Sequence, residues 1–141
     1  MIKSILYLFM LFVIFCTACS GENEILVEKQ SFVRWHEKDS ILEVYIAAAN
    51  KTDKEVSFEA SIVMLNPDLK DAVGFETKQL ETDDRNGKTP FLLTPHTETV
   101  FQRDFTTDRI LTQEMLTNGV GIKITTSEES YTMPIKYGEV E

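Results

Sequence analysis

The sequence contains little cysteine, little histidine and no cluster of basic residues. Only two cysteines and two histidines occur among 141 residues, and 14 basic side chains face 23 acidic ones, so the net charge is −9. The basic residues are scattered singly, and a chain without a positive patch is not expected to bind nucleic acid. Neither His36 nor His96 lies at a metal-ligand spacing from a cysteine or from the other histidine. We therefore also expect no metal and no other cofactor.

The sequence also lacks an apolar run long enough to span a membrane permanently. Its one long run extends from Ile5 to Cys16, whereas a transmembrane helix needs about 20 apolar residues. Lys3 precedes this run, and the small residues Thr17 and Ala18 follow it. A basic start, a short apolar run and small residues together predict a secretory signal peptide. The remaining length is typical of one domain.

The end of the predicted signal peptide contains a motif that indicates lipid attachment. Residues Cys16, Thr17, Ala18 and Cys19 resemble the lipobox of bacterial lipoproteins, although the family usually has leucine where this chain has Cys16. The resemblance implies cleavage after Ala18 and a lipid on the thiol of Cys19, because a thiol is the nucleophile that accepts the diacylglyceryl group. The alternative is an ordinary signal peptide cut near Ala18 or Ser20, in which Cys19 has no role.

The lipobox implies a domain organisation and a location. Residues 1–18 would be the signal peptide, residues 19–24 a short polar tether, and residues 25–141 the folded domain. Several acyl chains hold a protein on a membrane essentially permanently, so we expect an anchored protein at the cell membrane or the outer membrane, facing outside the cytoplasm. Only Cys19 would remain after cleavage, and it would be alkylated, so the fold would have no intramolecular disulfide.

Alternating apolar residues separated by polar turns predict seven or eight half-buried strands in the domain. The clearest lie at residues 25–35, 41–50, 56–64, 97–105, 120–124 and 131–137. Val27 and Val33 share a phase with Trp35, so we expect the indole in the core. Pro134 favours a sheet edge, because proline cannot donate a hydrogen bond to a neighbouring strand.

The middle of the chain has weaker patterns. Pro67 is expected to end a strand, residues 72–80 are predicted as an edge strand, and residues 81–90 as a polar loop. Leu111 and Met115 lie four residues apart, which predicts one short helix over 108–117. Many short strands and one helix together predict an antiparallel β-sandwich. Across the domain, the rhythm of strands and turns resembles the immunoglobulin-like domains of small bacterial lipoproteins, without a diagnostic motif.

The search for catalytic or ligand-binding groups finds few candidates. The acidic stretch around Asp83 and Asp84 is not a calcium loop, because Thr82 would stand at its first position and Leu93 at its twelfth. The neighbours Glu128 and Glu129 would face opposite sides of a strand, so they are expected to be solvated turn residues.

These observations favour a non-catalytic module that binds another envelope or surface protein through loops and sheet edges. The candidate contact residues are Asp83 and Asp84 in the acidic loop, and Tyr131 and Tyr137 near the last sheet edge. The alternative is an enzyme, or a carrier of a small ligand or metal, with a pocket between the sheets. For that alternative the only hints are His96 and Arg103, and Arg103 is expected to point outward into solvent, because a buried guanidinium needs a charged partner.

Overall fold

The computed structural model describes residues 23–81 and 90–141, and these residues form two packed β-sheets. In chain order the elements are β1 (Ile25–Val27), β2 (Phe32–His36), β3 (Ile41–Asn50), β4 (Val56–Met64), α1 (Pro67–Val73), β5 (Thr77–Gln79), β6 (Phe91–Leu93), β7 (Glu98–Thr106), α2 (Gln113–Leu116), β8 (Val120–Thr125), β9 (Ser130–Pro134) and β10 (Gly138–Val140). The prediction of a mainly β fold is confirmed. The expected strand and helix numbers are too low, because the described residues contain ten strands and two helices.

The first sheet is built around the long strand β3. Strand β7 pairs antiparallel with β3 along one side, while β1 and β2 share the other side. The predicted strand over 25–35 is therefore two strands separated by a turn, in which the Ser31 N–H donates to the Glu28 carbonyl at 3.1 Å. Strand β10 lies beside β2 and runs parallel to it.

The second sheet is built around β4. Strand β8 pairs with one side of β4, and β9 pairs with β8 at the end of the sheet. Strands β5 and β6 share the other side of β4. Pro134 stands at the end of β9, so the edge position predicted from this proline is confirmed.

The core lies between the sheets and is filled by apolar side chains from both of them. Trp35 is only 2% exposed, and its indole N–H donates to the Thr107 hydroxyl at 3.2 Å, so its predicted core position is confirmed. Three buried polar residues stand out among the described residues, Ser31, Asn50 and Thr107. Each of them is hydrogen-bonded, as burial of a polar group requires.

Helix α1 corrects the predicted edge strand over 72–80. Asn66 caps the helix, since its side chain accepts from the N–H groups of Asp68 and Leu69, and Pro67 occupies the first turn. Gly74 ends the helix with φ +84°, a conformation that suits glycine. Only the end of the predicted strand is extended, as β5.

Helix α2 is shorter than the helix predicted over 108–117. The backbone N–H groups of Thr107 and Asp108 donate to the carbonyls of Ser40 and Ala72, at 2.9 and 3.2 Å. Because these bonds tie the chain to other elements, the helix begins only after Thr112, whose hydroxyl accepts from the Met115 N–H.

The last residues cross from the second sheet to the first. The Ile135 N–H still donates to Val120 of β8 at 2.8 Å, whereas the Tyr137 carbonyl accepts from Val33 of β2 at 2.9 Å. Gly138 permits the close approach that follows, because a Cβ there would lie 2.8 Å from the Cβ of Leu116. This crossing forms one wall of the site described next.

Candidate binding site

A groove of about 470 Å³ lies at the side of the sandwich where the chain crosses from β9 to β10. We call it the edge groove. One wall comes from β1 and the turn after it, and the other from the end of β9 and the crossing segment. Its lining residues are Leu26, Val27, Glu28, Lys29, Ser31, Met133, Pro134, Lys136 and Tyr137.

The backbone of β1 directs hydrogen-bonding groups toward this side. The Glu28 N–H donates to the Ala47 carbonyl of β3 at 2.8 Å. Backbone groups alternate in direction along an antiparallel strand, so those of Ile25 and Val27 point away from β3. The backbone groups of Ile25 are already hydrogen-bonded, since the Tyr131 hydroxyl accepts from the Ile25 N–H and donates to the Ile25 carbonyl, both at 3.0 Å. The Val27 groups face the edge groove.

Strand β10 lies beside β2 but does not extend along β1. The Val33 N–H donates to the Tyr137 carbonyl, and the Glu141 N–H donates to the Trp35 carbonyl, both at 2.9 Å. These contacts cover the outer side of β2. Among the described strands, β1 pairs only with β3. The edge groove therefore lies beside β1, in line with β10.

The charge at the edge groove is opposite in sign to the charge of the chain. Lys29 and Lys136 lie at its rim, both exposed. The acidic lining residue, Glu28, forms an ion pair with Lys51. The groove therefore presents two ammonium groups and a neutralised carboxylate in a protein whose net charge is −9.

The two tyrosines predicted as contact residues have different roles. Tyr131 is half-buried and bridges the two sheets through Ile25, and burial raises its pKa. Tyr137 is 54% exposed and lines the groove. Its hydroxyl donates to Glu139 at 2.5 Å, and this hydrogen bond, followed by one from Arg34, lowers the pKa of Glu139.

A network of charged side chains holds the C-terminal strand beside the groove. Arg34 of β2 contacts Glu139 at 2.5 Å and Glu141 at 3.7 Å. His36 is the last residue of β2. Its Nε2 lies 2.8 Å from Glu43 and its Nδ1 3.0 Å from Glu141, and the hydrogen bond with Glu43 is the main cause of its raised pKa.

The geometry of His36 is that of a structural contact. Its two carboxylate partners bind opposite nitrogens of the ring, so they do not converge on a shared ligand position. Within residues 23–81 and 90–141, no group of three histidine, cysteine or acidic side chains is arranged to hold a metal ion.

The residues proposed for a pocket between the sheets have separate partners. His96 is in a turn with φ 57°, and its Nε2 lies 2.6 Å from Asp53. Arg103 lies on the inward phase of β7 with Phe101 and is half-buried, so the outward position expected from the sequence is wrong. Strand β7 is an edge strand, which lets the long side chain reach the surface, where Nη2 donates to the Glu81 carbonyl at 3.1 Å.

Several predicted residues lie outside the described part of the chain. They are Ala18 and Cys19 at the predicted cleavage and lipid sites, and Asp83 and Asp84 in the acidic loop. In the part that the structure describes, no helix is both long enough and apolar enough to span a membrane.

Sequence reasoning missed most of the edge groove. Leu26, Lys29, Met133 and Lys136 do not form a sequence motif, because the groove depends on a crossing between two sheets. The only local signal is Pro134, which indicates an edge strand immediately before the crossing.

Comparison with known proteins identifies no family. No protein-family model matches the sequence, and no curated protein matches it. A solved structure of the Pseudomonas fluorescens alkylpurine DNA glycosylase AlkC, bound to DNA containing an abasic site analog, aligns with 80% of this chain at 10% identity and a TM-score of 0.40. This chain covers 30% of that protein. A likeness at this level carries no argument about function.

Proposed function

We propose that the protein is a non-catalytic, lipid-anchored module that binds another protein of the cell envelope, outside the cytoplasm. The edge groove is the observation that carries this proposal. It is an apolar concave surface with lysines at its rim, and on one wall the backbone groups of Val27 are not bonded by any residue that the structure describes. Surfaces of this kind bind extended segments of other proteins.

The filled core supports a surface site rather than a pocket between the sheets. Apolar side chains of both sheets meet in one cluster, and the three buried polar residues named above are bonded within the protein. The alternative function, an enzyme or a carrier with an interior pocket, would need a polar cavity in this space.

The strand pairing supports an immunoglobulin-like classification. In such domains the strands called A, B and E are neighbours in one sheet, and C, F and G in the other. Here β2, β3 and β7 are neighbours in the first sheet, and β4, β8 and β9 in the second. We infer that β9 and β10 together replace the last strand, G, which changes sheets at the crossing.

The position of β1 fits a lipid anchor at Cys19. Strand β1 begins at Ile25, and a tether over 19–24 would reach at most about 20 Å when fully extended. The start of the domain would therefore lie close to the membrane, and so would the groove beside β1. This placement favours a partner attached to the same membrane.

The anchor is tested by mass spectrometry of the natively expressed protein extracted from membranes. We expect an N-terminus at Cys19 that carries acyl chains, and a Cys19→Ala variant that leaves the membrane fraction after signal cleavage. An unmodified N-terminus, or a membrane-bound Cys19→Ala variant, would contradict the anchor.

The binding role is tested by photo-crosslinking in cells. A photoreactive residue at Tyr137 should capture an envelope protein, whereas the same residue at the exposed control position Lys38 should not. Equal capture at both positions, or none at either, would argue against binding through the groove side of the domain.

A further inference from the structure

We propose that the edge groove is a docking site for an extended, acidic segment of a partner protein, which adds one strand to the first sheet beside β1. This inference rests on the proposed binding function and specifies what the groove takes. Two observations on the groove support it. They are the Val27 backbone groups, which no described residue binds, and the charge at the rim.

The backbone argument starts from β10. This strand already pairs with the outer side of β2, through Val33 and Trp35. No strand within residues 23–81 and 90–141 occupies the adjoining position beside β1, and there the N–H and carbonyl of Val27 face the groove. An added strand would continue the first sheet along this position, with its main chain bonded to Val27.

The Tyr131 hydroxyl limits the length of the added strand. It occupies both backbone groups of Ile25, so the open position ends there. The stretch from Val27 to the turn at 29–30 accommodates about three residues of an extended chain, at about 3.3 Å each. Alternate side chains of that segment would face the apolar walls at Leu26 and Met133.

The charge argument concerns Lys29 and Lys136. Neither lysine forms an ion pair within the described part of the chain, whereas Glu28 is already paired with Lys51. A segment that carries carboxylates beside its apolar residues would meet these two ammonium groups at the rim. A basic segment would meet two like charges, so the groove selects for acidic partners.

The test measures binding of synthetic peptides to the full-chain protein in detergent. The probe is a labelled peptide of about seven residues, with valine at alternate positions, threonine between them and glutamate at both ends. One control peptide has lysine in place of glutamate. A second carries N-methyl groups on the N–H groups that would donate to β1. Binding is followed by fluorescence anisotropy and by the NMR shift of the Val27 amide.

We expect the acidic peptide to bind and to shift the Val27 amide, and both control peptides to bind at least about tenfold more weakly. The double variant Lys29→Glu, Lys136→Glu should weaken the acidic peptide by about tenfold and favour the lysine peptide. A Lys38→Glu variant is the matched control, because Lys38 is exposed in a turn away from the groove, and it should change neither affinity.

Three results of the peptide experiment would overturn the inference. They are no binding of the acidic peptide, binding that the lysine reversals do not change, and binding that leaves the Val27 amide unshifted. A dimer of this chain that is lost in the double variant would also overturn it, since the occupant would then be a second copy. Crosslinking from Tyr137 to an envelope protein combined with any of these results would leave the binding function intact and refute only the acidic strand.

Discussion

We expect Asn50→Asp to destabilise the protein strongly, although it replaces one side chain with another of nearly the same shape. Asn50 is fully buried. Its Nδ2 donates to the carbonyls of Lys54, Leu93 and Thr94 at 2.7, 3.1 and 3.2 Å, and its Oδ1 accepts from the N–H and hydroxyl of Thr52. It therefore ties the turn after β3 to the end of β6.

The magnitude follows from the donors that aspartate lacks. Aspartate lacks both amide hydrogens. The carbonyls of Lys54 and Thr94 keep a donor, because they also accept from the hydroxyls of Thr52 and Thr97, so the main loss is the buried hydrogen bond to the Leu93 carbonyl. A buried carbonyl left without a donor costs about 1–3 kcal/mol, and we expect a loss of that size at pH 7. Unfavourable contacts of the carboxylate with these carbonyls raise its pKa above the unfolded value of about 3.9. Because protonation removes the charge and restores one donor, we expect the deficit to shrink as pH falls toward about 4.

The assay is urea unfolding followed by the fluorescence of Trp35, the single tryptophan, and Asn66→Asp is the matched control. The Asn66 side chain acts as an acceptor at the start of α1, and aspartate caps a helix as well as asparagine does. We expect a change of less than about 0.5 kcal/mol there. Equal losses in both variants, or a loss below about 1 kcal/mol for Asn50→Asp, would refute the reasoning.

Two further predictions concern the C-terminal strand. The pKa of His36 is raised, mainly by Glu43, so its contribution is fully present below the unfolded pKa of about 6.5 and is lost as pH rises through the folded pKa. Because the side chain is 30% exposed, we expect this contribution to be below about 1 kcal/mol. The urea midpoint should therefore change less between about pH 6 and about pH 8 in His36→Gln than in wild type. Equal changes in the two proteins would contradict this prediction. Gly138→Ala should lower the free energy of unfolding by about 1–3 kcal/mol, because the added Cβ would lie 2.8 Å from the Cβ of Leu116. It should also speed amide exchange in β10. An unchanged unfolding midpoint would count against this packing argument.

Alternation predicts the long strands because one face of each is buried. The clearest case is β4, where Val56, Phe58, Ala60, Ile62 and Met64 are all buried. The phase of Trp35 is predicted for the same reason. These assignments need only a residue and its near neighbours in the sequence.

Other features depend on signals that strand periodicity outweighs, or on distant contacts. Local start and stop signals for a helix are present at Asn66, Pro67 and Gly74. They explain why helix α1 forms and the strand predicted over 72–80 does not begin at residue 72. Arg103 follows the inward phase because β7 is an edge strand, which a single strand's pattern does not reveal. The edge groove requires β9 and β1 to meet across the sandwich, so no local pattern predicts it.

The position of β10 also has a consequence for the order of folding. The Val33 N–H obtains its hydrogen-bond partner from Tyr137, which lies far from it in the sequence, so the first sheet stays incomplete until β10 has paired with β2. Pairings this distant in sequence form slowly. For the exported protein that we propose, slow folding is an advantage, because a chain that crosses a membrane through a narrow channel must stay unfolded until it has left the cytoplasm.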